Sequence, residues 1–245
     1  MPVFRLTREL RFPDPELAED GLLAIGGDLR PERLLLAYRS GIFPWFGVED
    51  PLLWWSPPER AVLRPGRLHL PERARRSLRR RPFEARFDTA FDEVIAACAA
   101  SPRPGQDGTW IVPGLIEAYR AWHRLGRVHS IETWIDGQLA GGLYGVGIGR
   151  VFFGESMFAR RTDASKIALA ALVAFCRQHG IALIDCQQRT GHLASLGARE
   201  IPREAFERHL AQALGEAPPP RWTYDERWWT HLALGGEPPH GDHRA

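Results

Sequence analysis

At 245 residues, 44% hydrophobic and 25% charged, the chain has the composition of an ordinary globular protein with enough apolar side chain for a sizeable core. A formal net charge of +2 excludes a generally polycationic nucleic-acid binder, so any polyanion must meet a local patch. Three widely spaced cysteines, Cys98, Cys176 and Cys186, exclude a disulfide framework; with no apolar N-terminal run and no stretch of about 18 apolar residues, a cytoplasmic protein without membrane contact is expected.

Residues 1–60 are rich in glycine, proline and tryptophan and read as a small N-terminal domain. Asp28 is placed to cap a helix from Pro31 to Arg39, with Leu34, Leu35 and Tyr38 on its apolar face and Gly41 as its stop. Trp54 and Trp55 read mainly as core, whereas Trp45, behind Pro44, reads as displayed. Pro57 to Arg60 marks the boundary with a second domain, residues 61–245. Six of the nine residues from Arg73 to Arg81 are arginine, in a chain where Lys166 is the sole lysine among 32 basic residues. On a helix Arg73, Arg76 and Arg80 share a face, which suits nucleic-acid phosphates and mere solvation equally well.

A helix AFDEVIAACAAS and an exposed loop over residues 102–108 come next. After Pro113 the pattern predicts a helix with Leu115, Ile116, Tyr119, Trp122 and Leu125 on one face, stopped at Gly126. VHSIETWID, QLAGGLYGVGIG and RVFFGESMF form an antiparallel meander turned at Asp136-Gly137 and Gly149. A buried helix TDASKIALAALVAFCRQHG, capped by Thr162 or Asp163, leads into the strand IALIDCQ. The helix REAFERHLAQAL and a tail with Trp222, Trp228 and Trp229 complete the chain, and its PPHGDHRA end is expected to fray. The order implies a mixed α/β fold whose last strand joins the meander under a covering helix.

Within LIDCQ, strand alternation puts Leu183, Asp185 and Gln187 on one face and Ile184 and Cys186 on the other. A carboxylate in such a strand costs several kcal/mol unless satisfied. GESMF lacks the second glycine of a nucleophile elbow, the glycines from 141 to 149 do not spell a dinucleotide loop, and no metal-ligand spacing occurs. Cys186 reads as core. Glu155, Asp185 and Gln187 remain as a polar set on neighbouring strand ends. Glu155 capping a turn, and Asp185 binding backbone amides of the next loop, stand beside the catalytic reading.

GLLAIGGDL, LAYRSGIFPWF, LWWSPPERAVL, GTWI, AYRAWHRLG, HSIE, GGLYGV, FFGESMF, ASK, LIDCQ, HLASLGA and EIPR together resemble, in order and over nearly the whole chain, the leucyl/phenylalanyl-tRNA–protein transferases. The resemblance implies a small N-terminal domain on a catalytic domain like the GCN5-related N-acetyltransferase fold. FARRTDASK, where that fold holds acetyl-CoA, has no glycine, so the resemblance implies a CoA-free relative, with no cofactor expected, whose donor is aminoacyl-tRNA carrying Leu or Phe. The acceptors it implies are proteins with N-terminal Arg or Lys, thereby marked for N-degron degradation, and the enzyme is expected to be a monomer. It places Trp45 and Trp110 beside the terminal adenosine, and Glu155, Asp185 and Gln187 at the reacting centre. Tyr144, Phe152, Met157, Leu169 and Phe175 are candidates for the Leu/Phe pocket, though plain core would look the same, and Arg73, Arg76 and Arg80 for tRNA phosphates. A neutral amide is a very weak base, so Gln187 is expected to position the amine, with Asp185 fixing its amide and Glu155 partnering an amino group. The chain departs from the family pattern at Thr190, where the pattern has an Asn. The rival readings are an acetyl-CoA-dependent N-acetyltransferase and a tRNA-binding module without chemistry.

Overall fold

The computed structural model describes residues 3–80, 83–102 and 109–232. Arg81, most of the loop over 102–108 and the expected frayed end fall outside them.

The first sixty residues build a four-stranded sheet and one helix. Its strands are β1 (Phe4–Leu6), β2 (Leu22–Gly26), β3 (Phe43–Pro44) and β4 (Leu53–Trp55), in the order β1-β2-β4-β3, with α1 (Pro31–Arg39) between β2 and β3. Pro31 sits in the first turn and Gly41, at φ +72°, ends the helix as its sequence requires. Asp28 is not the cap. That position belongs to Arg30, and Asp28 instead accepts the Arg30 amide and pairs with Arg33, whose side chain is buried. Trp54 is fully buried, donating its indole N–H to the Gly26 carbonyl at 2.9 Å. Trp45 and Trp55 are half-buried and meet edge to face at 5.6 Å.

From residue 59 the chain enters a seven-stranded sheet. Its elements are β5 (Glu59–Leu63), α2 (Glu72–Arg80), β6 (Glu84–Phe87), α3 (Phe91–Ala100), α4 (Pro113–Arg124), the meander β7 (Val128–Ile135), β8 (Gln138–Ile148) and β9 (Val151–Ala159), then α5 (Ala164–Gln178), β10 (Leu183–Asp185), α6 (Gly191–Ser195), β11 (Arg199–Pro202) and α7 (Arg203–Ala213). The order is β11-β5-β10-β9-β8-β7-β6, and only β9 and β10 run parallel, as the α5 crossover dictates. Asp136 and Gly137 both take positive φ, matching the twist of the β7–β8 hairpin.

One face of this sheet packs with α1, α3, α4 and α7, the other with α2 and α5. Helix α5 is buried except at Lys166, Arg177 and Gln178. It lies hard against β8 because Gly141 has no side chain: a Cβ there would sit 2.6 Å from that of Ala164. On α4, Leu115, Tyr119 and Trp122 are buried as the spacing predicts, but Leu125 is 62% exposed, since it caps the helix and no longer follows its period. The tryptophans of the C-terminal segment are not a loose tail. Trp222 stacks on His129 at 3.9 Å and on Phe175 at 4.6 Å, and Trp229 is buried. Among the described residues no helix is long and apolar enough to cross a membrane.

Candidate functional site

The parallel pairing of β9 with β10 ends at Phe153 and Asp185. One step further, β9 breaks register with β8: Gly154 faces Gly145 and Ser156 faces Tyr144, which leaves Glu155 as an unpaired bulge. Opposite it, β10 stops and Gln187 takes a left-handed backbone at φ +55°, unusual for a residue with a side chain. The strands part there, over a cavity of about 540 Å³. Tyr144, Phe152, Met157 and Leu169 line it as expected, joined by Leu63, Leu143, Leu172, Ile184 and Leu193, and Glu155, Ser156 and Gln187 form its polar end. Phe175 is not part of it. The fifth pocket candidate lies beyond that wall, between Phe87, Trp222 and Trp228 in the core.

Strict alternation along LIDCQ fails for the same reason. Asp185 is fully buried on the far side of the sheet and does not line the cavity, whereas Gln187, past the strand end, turns into it beside Cys186. Both Asp185 oxygens are engaged by Arg60, through Nε and Nη2, each at 2.8 Å. Arg60 also donates to the Gly41 carbonyl at 2.8 Å, and its guanidinium lies between the rings of Phe43 and Phe206 at 4.6 and 4.7 Å. The fork satisfies the buried charge bidentately. What Asp185 gives to Gln187 is a bond to its backbone N–H, at 2.9 Å, not to its side-chain amide.

Glu155 has different company. Tyr38 donates to Oε1 at 2.7 Å, Tyr119 to Oε2 at 3.0 Å, and the two hydroxyls lie 2.7 Å apart. Gln187 Nε2 donates to Oε1 at 3.5 Å. The residue opens partly to the cavity, yet its carboxyl is packed densely enough for burial to raise its pKa from 4.5 to about 7, against the pull of the hydroxyls. Burial, then the charge of Glu155, lifts Tyr38 and Tyr119 well above the ordinary tyrosine range. Cys186 is pushed up to about 12 by burial and then by Asp185, which removes it as a thiolate nucleophile.

Trp45 and Trp110 face a second cleft, of about 510 Å³, with Phe46, Leu53 and Trp55. The same two segments serve both places: Tyr38 precedes Trp45 by seven residues and Trp110 precedes Tyr119 by nine. Arg73, Arg76 and Arg80 are all exposed on one face of α2, whose buried side is Ala74 and Leu78. Arg73 reaches Asp163 at 3.4 Å. Asp163 does occupy the cap position of α5, but at φ +65° and without a capping bond; its carboxylate holds Lys166 at 2.7 Å. Burial and then Lys166 lower the pKa of His192 at the cavity rim. Thr190, which stands for the family's Asn, caps α6 by accepting the Leu193 amide at 3.1 Å.

Arg60, Tyr38 and Tyr119 escaped the reading of the sequence as site residues. The tyrosines carried a signal, as hydroxyl-bearing rings on otherwise apolar helix faces; Arg60 carried none beyond its place after two prolines. Among the described residues no group of three His, Cys, Asp or Glu is arranged to hold a metal ion.

The family described as "Leucyl/phenylalanyl-tRNA protein transferase" matches residues 62–211, and its N-terminal domain matches residues 27–58. A Methylibium petroleiphilum protein named "Leucyl/phenylalanyl-tRNA--protein transferase" is 60% identical over 222 residues, covering 89% of this chain and 84% of its own. Proteins of the same name from Anaeromyxobacter sp. (strain K) and Syntrophobacter fumaroxidans are 55% and 54% identical, covering 98% and 97% of this chain and 99% and 100% of their own. Among solved structures, a functionally unknown conserved protein from Staphylococcus epidermidis aligns at a TM-score of 0.35 and 9% identity over 74% of this chain and 68% of its own, too distant to inform the fold.

Proposed function

The chain belongs to the leucyl/phenylalanyl-tRNA–protein transferase family, as an aminoacyltransferase, and we propose that it takes leucine or phenylalanine from charged tRNA. It gives that residue to the α-amino group of proteins beginning with arginine or lysine, in the cytoplasm and as a monomer, and so marks them for N-degron degradation. The observation that carries the chemistry is Glu155: a carboxyl with a pKa near neutrality at the polar end of an apolar cavity, ringed by two hydroxyls and an amide.

The donor's Leu or Phe side chain occupies the cavity against Tyr144, Phe152, Met157 and Leu169, where Met157 adapts to either shape. Trp45 and Trp110 stack the terminal adenosine, and the exposed arginines of α2 meet tRNA phosphates. The acceptor amine attacks the acyl carbonyl, the ester C–O bond breaks, and the ribose oxygen leaves. Glu155 takes the proton the amine must lose and returns it to that oxygen, while the buried Tyr38 and Tyr119 hydroxyls hold its carboxyl from behind. With a pKa near 7 it is far better suited to this than a neutral amide, so Gln187 orients the amine and offers its N–H to the developing oxyanion. Asp185 acts at one remove, as a positioning residue that fixes the Gln187 backbone while Arg60 ties it to the N-terminal sheet.

Likeness to the GCN5-related N-acetyltransferases belongs to the same proposal. It is supported by the meander, the buried crossover helix α5 and the parting of β9 from β10. The acidic Asp163 at the start of α5 suits a CoA pyrophosphate poorly, which supports an aminoacyl donor. A domain division near residue 60 is supported by the two separate sheets, although one core runs across both. The test is transfer from leucyl-tRNA to peptides beginning with Arg, Lys or Ala: modification of the first two alone is expected, and equal modification of all three defeats the proposal.

A further inference from the structure

A third cleft, of about 520 Å³, lies on the other side of α6 from the central cavity. Gly191, His192 and Leu193 line the cavity, while Ala194 and Ser195 line this cleft; in the same way Leu63 serves the one, and Val62 and Arg64 the other. Arg64, Arg67, His69 and Arg199 converge on it over a floor that includes Val62 and Ile201, and no carboxylate is among its lining residues.

What sets this cleft apart is that its bare charge is gathered in a concavity. Several guanidiniums elsewhere on the surface find acids, as Arg86 does with Glu84, Arg120 with Asp92 and Arg227 with Asp225. Among the described residues Arg64 and Arg67 have neither an ion pair nor a side-chain hydrogen bond. Arg199 is held only by carbonyl oxygens, those of Ala198 at 2.9 Å and Ala194 at 3.4 Å. Glu200, the acid next to it on β11, does not line the cleft and lies 3.9 Å from Arg189. The backbone is drawn in tightly: Gly197 sits at φ +102°, where a Cβ would be 2.1 Å from the Arg67 carbonyl oxygen. Like charges gathered in a concavity repel one another unless an anion joins them, and planar guanidinium forks match the oxygens of a phosphate.

We infer that this cleft is a phosphate site for the RNA backbone of the charged tRNA, separate from the arginine face of α2. Position supports an RNA rather than a small anion. The His69 N–H bonds the Leu196 carbonyl just after α6, and α2 begins three residues further on at Glu72, so the cleft runs on into the helix whose Arg73 reaches Asp163 at the start of α5, which lines the cavity with Leu169 and Leu172. The inference rests on the reading that the donor is a tRNA.

The test uses the full chain, an Arg64→Gln/Arg67→Gln double variant and an Arg208→Gln control on the exposed face of α7, with leucyl-tRNA affinity measured between about 50 and 300 mM salt. The double variant is expected to bind about tenfold more weakly near physiological salt, with the slope of log affinity against log salt smaller by about 2, while the control matches wild type. Both replaced side chains are exposed, and a thermal melt of the variant checks that it folds. An unchanged slope, or an equal loss in the control, overturns the inference. So does a slope that stays unchanged while about 10 mM inorganic phosphate raises the melting temperature of wild type but not of the double variant, for the cleft is then a small-anion site. If wild type neither binds leucyl-tRNA nor modifies an Arg-initiated peptide, the proposed function has failed; if it does both, only the cleft is at issue.

Discussion

Two carboxyls face opposite sides of the sheet where β9 and β10 part, and they are treated in opposite ways. Asp185 is wholly buried and met by a full guanidinium fork plus a backbone N–H, so its capacity is spent within the fold. Glu155 is met only by neutral donors and is left with a pKa of about 7 beside a cavity. A buried acid given a matched cation becomes structure; one given hydroxyls and an amide keeps a proton it can exchange.

The sharpest way to break this contrast is at Asp185. Asp185→Asn leaves Arg60 buried without its anion and is expected to cost about 3 to 5 kcal/mol of stability in denaturant unfolding, whereas Arg60→Met with Asp185→Leu recovers much of it. Recovery of stability without recovery of transfer places Asp185 in a positioning role; a wild-type stability for the single variant removes the ion pair from the account. Glu155→Gln should do the reverse, lowering transfer by about 10²- to 10³-fold while the protein stays folded.

The same variant sets a pH test. Folding raises the Glu155 pKa from 4.5 to about 7, so the folded state holds the proton more tightly and its advantage is complete below pH 4.5 and lost as pH rises to 7. The interval corresponds to roughly 3 kcal/mol, less whatever the opening to the cavity screens. Glu155→Gln is therefore expected to be more stable than wild type at pH 8, with the difference vanishing near pH 4; parallel curves for the two proteins would count against a raised pKa. The smallest effect belongs to the second cleft, where Trp45→Ala should weaken binding of an aminoacyl-adenosine fragment by about 1 to 3 kcal/mol with both carboxyls undisturbed.

Much of the fold is legible from periodicity: α1, α4, α5 and the meander fall where the spacing of Leu34 and Tyr38, of Leu115 and Tyr119, and the Asp136-Gly137 turn put them. Pairings across the chain are not. Arg60 lies 125 residues from Asp185, amid residues that read as a boundary, and nothing local tells it from an exposed arginine. Gln187 misled for a different reason, because alternation holds only while the backbone stays extended and this residue has left the strand. Tyr38 was legible as a buried ring, but not that its hydroxyl would meet one from another helix. Phe175 shows the converse limit, since an apolar residue on a cavity-bearing helix can face the cavity or the layer behind it, and the spacing is the same.

That layer gives the C-terminal segment a further meaning. Phe152 forms part of the cavity wall, and the indole of Trp222 lies 5.6 Å behind it, pinned between His129 and Phe175. If the donor side chain lies in the cavity as proposed, the room available to a bulky aromatic, as opposed to a branched aliphatic, is bounded by a residue that never touches it. On the proposed reading of the cavity, preference between two donors can drift through changes around Trp222, a residue well outside the site.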